Sequence, residues 1–103
     1  TPHVILPYAF DTNDMRFAPG GGFVQAEDFS AYCITALDWL LREGATAPKM
    51  LSIGLHLRII GRPGRIRAFD RFVQHARSKP GVWFATRLQI ARAFAAQVPA
   101  PAE

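Results

Sequence analysis

Three places along the 103-residue chain carry side chains able to do chemistry. The first is Tyr8 with the loop Asp11-Thr12-Asn13-Asp14, the second is His56 with Arg58 and Arg62, and the third is Thr86 with Arg87. His56 is the most informative single residue, because an unperturbed imidazole gains and loses a proton near neutral pH and so suits proton transfer. Asp14 is of a type that orients or charge-stabilises a histidine. Asn13 is of a type that hydrogen-bonds an amide or ureide. Arg58 and Arg62 flank Ile59-Ile60-Gly61, and either guanidinium could clamp a carboxylate with two parallel bonds. His56 is therefore the candidate catalytic residue, and Tyr8, Asn13, Asp14, Arg58 and Arg62 are the candidate substrate-binding residues. Each also has a plainer role open to it. The His56 ring could simply bond a neighbouring loop, Asn13 and Asp14 could shape a turn, and the arginines could hold a surface loop by ion pairs.

The remaining candidates are weaker. His3 stands near the chain start and His75 on a helix flank. Cys33 falls on the apolar face of a helix, where a cysteine packs more often than it reacts. Gly20-Gly21-Gly22 lacks the strand and helix context of a phosphate-binding loop. Three histidines and one cysteine, widely spaced, exclude a zinc finger and a CxxC redox pair. No metal ligands are assigned.

The composition bounds what can surround these residues. Half of the chain is apolar and 19% is charged, which describes one core-forming domain and not a disordered segment. No uncharged run reaches the ~18 residues of a membrane span. A single cysteine excludes an internal disulfide and fits a reducing compartment, so a cytoplasmic setting is expected and a membrane is not. The chain opens on Thr1 and not on Met, which suggests processing or a piece of a longer protein. Nine of the twelve Lys and Arg lie within residues 58–92, where Asp70 is the one acid. Such asymmetry suits a phosphate surface, but these arginines alternate with apolar residues at helical spacing, as on the wet faces of helices.

The elements that must position the candidates are short and alternate. Residues 3–8, 50–56 and 82–85 are apolar runs that suit buried strands. Residues 27–43 predict a helix with Phe29, Cys33, Ala36, Leu37, Leu40 and Leu41 on one stripe, Glu27 and Asp28 in the first turn, and Gly44 at the end. A second helix is expected over 65–78, with Ile66, Phe69, Val73 and Ala76 inward and Lys79-Pro80-Gly81 closing it. Thr86 caps a third, with Leu88, Ile90, Ala91 and Phe94 apolar. Residues 9–26 and 58–65 read as loops. The order is α/β: three consecutive βα units with parallel strands and all helices on one face. In such folds ligands bind at the C-terminal strand ends, where the three candidate places fall. A closed eight-unit barrel needs ~250 residues, so this length is a slice of one or a small open three-stranded sheet.

Two long stretches carry a resemblance. Pro7-Tyr8 with Asp11-Thr12-Asn13-Asp14-Met15-Arg16-Phe17, and Gly54-Leu55-His56 with Arg58 and Ile60-Gly61-Arg62-Pro63, are similar to the polysaccharide deacetylase-like family (the NodB-homology barrel), in its branch of bacterial allantoinases of urate breakdown. Gly44 to Leu55 and Val82-Trp83-Phe84-Ala85 agree with it. The resemblance implies that residues 1–103 are the C-terminal third of a distorted (β/α)7 barrel. It implies hydrolysis of non-peptide C–N bonds, allantoin to allantoate in this branch. Removal of N-acetyl groups from sugars is the alternative, and a small basic binding module is the alternative of another class. By the resemblance His56 is the general acid toward the leaving nitrogen, Asn13 and Asp14 are the family's Asn-Asp pair, and Arg62 is the arginine of the Gly-Arg-Pro loop. Some members use zinc. The Asp-His-His ligands and the early catalytic Asp belong to the first two-thirds of that domain, and nothing in this chain matches them. The resemblance thus implies an enzyme-derived chain, inactive alone, whose partners are a small amide or ureide substrate, the rest of the barrel domain and further copies of the full-length protein. Nucleic acid is not expected, since aromatics are not interleaved with the arginines for base stacking.

Overall fold

The computed structural model describes residues 2–101. Helix α1, Ala26–Glu43, forms where the apolar stripe is longest. Its start is fixed by Asp28, whose carboxylate accepts the backbone N–H groups of Val24 and Gln25, both at 2.8 Å. These two donors, Val24 first, hold the Asp28 carboxyl below its ordinary value. Gly44 stops the helix as expected, with its N–H on the Leu40 and Arg42 carbonyls. Phe29, Cys33 and Leu37, four residues apart, are buried.

Helix α2, Leu57–Ile60, is a single turn that starts directly after His56, within what the sequence presented as a Gly/Pro loop. Helix α3, Ile66–Arg77, packs against α1. Its buried residues are Ala68, Phe72 and Ala76, again four apart. The expected inward face is thereby corrected. Ala76 is inside, Phe69 and Val73 are half-buried flanks, and Ile66 is exposed. The reason is size: alanines at 68 and 76 let the two helices approach, and Phe72 fills the space between them. Helix α4, Arg87–Gln97, is capped by Thr86. The Thr86 hydroxyl oxygen accepts the Gln89 N–H at 3.1 Å, and the Gln89 side chain accepts the Thr86 N–H at 2.8 Å, a reciprocal cap. Its apolar residues are not buried.

The loop before α1 is pinned by aromatic packing. Phe17, Phe23 and Phe29 form a triangle with ring centroids 5.5, 6.1 and 6.2 Å apart. The Arg16 guanidinium lies 4.2 Å from the Phe23 ring centre and 4.6 Å from that of Tyr32, and Arg65 lies 4.6 Å from Phe17. Arg16 also donates to the Gly21 carbonyl at 2.9 Å. The triple glycine follows from this. Gly20 and Gly22 take positive φ, 82° and 102°, and a Cβ on Gly21 would strike the Arg16 backbone. The chain turns tightly back around Arg16 there.

The expected three βα units with parallel strands are not formed. Among the described residues there is one isolated parallel bridge, Asn13 with Gly54, and no strand. Residues 3–8, 50–56 and 82–85 carry no shared ladder, and a strand requires a neighbour at ~4.8 Å that answers its N–H and C=O groups. Cross-links of another kind tie these runs. The Thr12 hydroxyl donates to the Ser52 carbonyl at 2.6 Å, and Arg87 donates to the Leu6 carbonyl at 3.0 Å. Apolar residues of the runs, among them Ile5, Leu55, Trp83 and Phe84, remain exposed. The radius of gyration is 15.6 Å, above the ~13 Å of a compact domain of this length. Among the described residues no helix is long and apolar enough to cross a membrane.

Two outcomes follow from the α1 contacts. Phe29→Ala, removing the fully buried corner of the aromatic triangle, should cost about 3–5 kcal/mol in denaturant unfolding. Asp28 is held low when folded, so its contribution is present above its ordinary value of 3.8 and is lost as pH falls through the folded value. Asp28→Asn should therefore flatten the acid limb of a stability-against-pH curve.

Candidate active site

Asp14 opens a short 3-10 turn, Asp14–Phe17, and is fully buried with 0% of its surface exposed. A buried carboxylate must be answered by donors, and the answer comes from residues 42 to 46 positions later. The His56 N–H donates to Oδ2 at 2.6 Å, and the Ile60 N–H donates to the same oxygen at 3.2 Å. The His56 ring meets Oδ1 through Nδ1 at 2.7 Å. With Nδ1 against a carboxylate, that nitrogen carries the proton and Nε2 is the free one. The His56 side chain is 31% exposed, so the free nitrogen belongs to a ring that solvent reaches.

Asn13 sits beside this pair, 3% exposed. Its Oδ1 accepts the Met15 N–H at 2.9 Å, and its Nδ2 donates to the Tyr8 hydroxyl at 2.9 Å. The backbone between the two loops is stitched by the Gly54 N–H donating to the Thr12 carbonyl at 2.9 Å, and the Asp14 N–H donating to the Gly54 carbonyl at 3.0 Å. Gly54 is required by this approach, since a Cβ there would strike the Asn13 amide and come within 3.3 Å of the Tyr8 oxygen.

The sequence-predicted residues thus divide. Tyr8, Asn13, Asp14 and His56 are brought together around Gly54. Asn13 and Asp14 are enclosed, with the polar contacts just described made inside the chain, while Tyr8 and His56 reach the surface. Arg58 and Arg62 are exposed on α2 and the turn after it, and neither guanidinium bonds to the Asp14–His56 pair. Thr86 serves as a helix cap, and Arg87 bonds to Leu6 and, at 3.4 Å, to the Ser52 hydroxyl. His75 pairs with Asp38 at 2.7 Å between α3 and α1, outside the site. Sequence reasoning named Thr12, which is buried, only as part of its loop, and missed Gly54. The second had a signal, since glycine within an apolar run accompanies close backbone approach.

The donor set does not fit a zinc ion. Among the described residues no three His, Cys, Asp or Glu side chains gather in one place. A catalytic zinc takes three protein ligands, and the Asp14 oxygens already receive the His56 and Ile60 N–H groups and the His56 ring. Cys33 is equally unavailable as a nucleophile. Burial, then Asp11, push its thiol up to about 12, against a smaller lowering by Arg16. The raised value keeps the sulfur protonated at pH 8. Cys33 should therefore react slowly with an aromatic disulfide in native buffer and rapidly once the protein is unfolded.

Gly54→Ala should separate the two stitched loops. We expect about 1–3 kcal/mol of destabilisation, the range for forcing an extra methyl into a packed place, read by thermal unfolding.

No protein-family model matches the chain. A Schizosaccharomyces pombe protein named "Putative polysaccharide deacetylase" is 48% identical over 97 residues, which are 93% of this chain and 30% of that protein. A crystal structure named "probable Polysaccharide deacetylase", from Pseudomonas aeruginosa PAO1, is 54% identical over 93% of the chain, with a TM-score of 0.88 and 32% of that chain covered. The crystal structure of Puue allantoinase is 52% identical over the same share, with a TM-score of 0.89 and again 32% covered. The chain spans about a third of the length of each relative. Over that third it is similar, in sequence and in backbone, to proteins named polysaccharide deacetylase and allantoinase, as the Tyr8–Phe17 and Gly54–Pro63 stretches led us to expect.

Proposed function

We propose that this chain is the part of a non-peptide C–N hydrolase that supplies the proton to the leaving nitrogen. The observation that carries the reading is the Asp14–His56 pair: a buried carboxylate against Nδ1 at 2.7 Å, with a partly exposed ring. Asp14 holds the imidazole in one tautomer and orientation through the Nδ1 contact. To act as the acid His56 must carry a second proton, on Nε2, which it gives up while Asp14 keeps the one on Nδ1. In the reaction the oxygen of water bonds to the carbonyl carbon as the C–N bond breaks. One proton of that water is taken up by a base, and the nitrogen leaves with the proton from His56. Asp14 acts as a positioning residue. Arg58 and Arg62, exposed on α2 and the turn after it, would meet charged or polar parts of a substrate.

The group that activates the water, and any metal, lie outside the residues described here. We assign them to the rest of a barrel domain, which would also cover the exposed Ile5, Leu55, Trp83 and Phe84. The slice-of-barrel architecture, assembly of the whole protein into a homo-oligomer and a cytoplasmic setting belong to the same proposal. The last is supported by the single cysteine, held as a buried thiol. The favoured substrate is a cyclic ureide such as allantoin, because the long motif stretches are those of the allantoinase branch. The names of the fission-yeast and Pseudomonas relatives favour a second reading, an N-acetylated sugar.

The test is turnover of allantoin beside N-acetylglucosamine oligomers by the protein that carries this chain. His56→Ala should lower kcat about 10²–10⁴-fold with a much smaller change in KM, since proton donation acts in the transition state. Asp14→Asn should lower kcat too, since the ring loses the carboxylate that orients it. An unchanged rate in His56→Ala would reduce that residue to a structural one.

A further inference from the structure

We infer that Tyr8 is a hydrogen-bond donor to a second carbonyl of the substrate, and that Asn13 is the residue that aims it. The inference rests on the hydrolase reading and adds a specificity element to it. Asn13 is enclosed and cannot meet a ligand broadly, but its Nδ2–H is directed at the Tyr8 oxygen at 2.9 Å. A phenol oxygen that receives a hydrogen bond on that side must send its own proton elsewhere. The described residues offer that proton no acceptor, and Tyr8 is 59% exposed. Tyr8 is thus set as a donor facing outward.

Its place relative to His56 follows from Gly54. The side-chain direction of Gly54 runs into the Asn13 amide and the Tyr8 oxygen. His56 follows two residues later with extended backbone, φ −127° and ψ 126°. The phenol donor and the imidazole are thus held by neighbouring residues, Tyr8 by Asn13 and His56 by Asp14. That juxtaposition suits a small compound with a carbonyl on each side of the bond to be cut, as in a cyclic ureide, and leaves the donor unused by a simple acetamide. Glycine at 54 makes the arrangement possible, since any side chain would occupy the place of the Asn13 amide.

The experiment uses Tyr8→Phe, Asn13→Asp and the pair together, with allantoin as the probe. Asn13→Asp keeps the oxygen that accepts the Met15 N–H and so preserves the turn. It replaces the donor with an acceptor, which would draw the Tyr8 proton inward. Each variant should raise KM about tenfold, with the loss in KM and not in kcat, and the pair should be no worse than either alone. Activity toward an N-acetylglucosamine oligomer, where the wild type has any, should be insensitive to Tyr8→Phe. An unchanged KM for allantoin in Tyr8→Phe overturns the inference and leaves the hydrolase reading standing. An affected Tyr8→Phe beside an unaffected Asn13→Asp overturns the aiming role. Absence of turnover by the wild type on both probes sinks the hydrolase reading and this inference with it.

Discussion

One buried carboxylate organises the functional end of this chain. An ionised Asp14 with no exposed surface could not persist without donors, because an unpaired buried charge costs several kcal/mol. Its donors come from His56 and Ile60, so satisfying the charge fixes where residues 56–60 lie. The same bonds hold α2 at both ends, by the His56 N–H before it and the Ile60 N–H at its close, and they set the imidazole ring. Structure and chemistry share one set of contacts here. A carboxylate that must be paired for the fold to hold is also the one that orients the His56 ring.

Around that pair runs a chain of dependence. Asp14 is presented by a turn that Asn13 caps through Met15. Asn13 fits because position 54 has no side chain, and Tyr8 is tied to it. Thr12 fastens the strand-like run at Ser52. Each contact joins residues about 40 apart in sequence, apart from the local Asn13 bonds to Met15 and Tyr8. The packed body behind them is the α1–α3 pair and the aromatic triangle. Arg16, stacked on Phe23 and bonded to Gly21, transmits that packing to the loop bearing Asp14.

The rest of the surface tells a different story. Runs with the composition of buried strands lie without a ladder, and large apolar side chains on them face outward. The extended radius of gyration fits that picture. Relatives about three times as long superimpose on the chain at TM-scores of 0.88 and 0.89. The helices and the Asp14–His56 contact are thus formed by this chain's own residues.

The helices were legible in the sequence because their determinants are local. An apolar residue every three or four positions, an acid in the first turn and a hydroxyl at Thr86 specify α1, α3 and α4 to within a residue or two. His56 and Asp14 were legible as types of residue, and their meeting only as a possibility. Only part of the α3 face was: Ala76 was expected inside and is, but Ala68 and Phe72 face inward through the fit against α1, a property of two helices together. Strands were over-read for the same reason. An apolar, β-branched run states a preference for burial, but a strand exists only beside a neighbour that answers its hydrogen bonds. Whether Asn13 meets a ligand or a tyrosine, and whether Gly54 is a gap or a requirement, depended on what the folded chain brings within 3 Å. Sequence determined what each segment prefers by itself. Tertiary structure decided every pairing across forty residues, because a buried charge or a backbone N–H is satisfied by position in space and not by position in the chain.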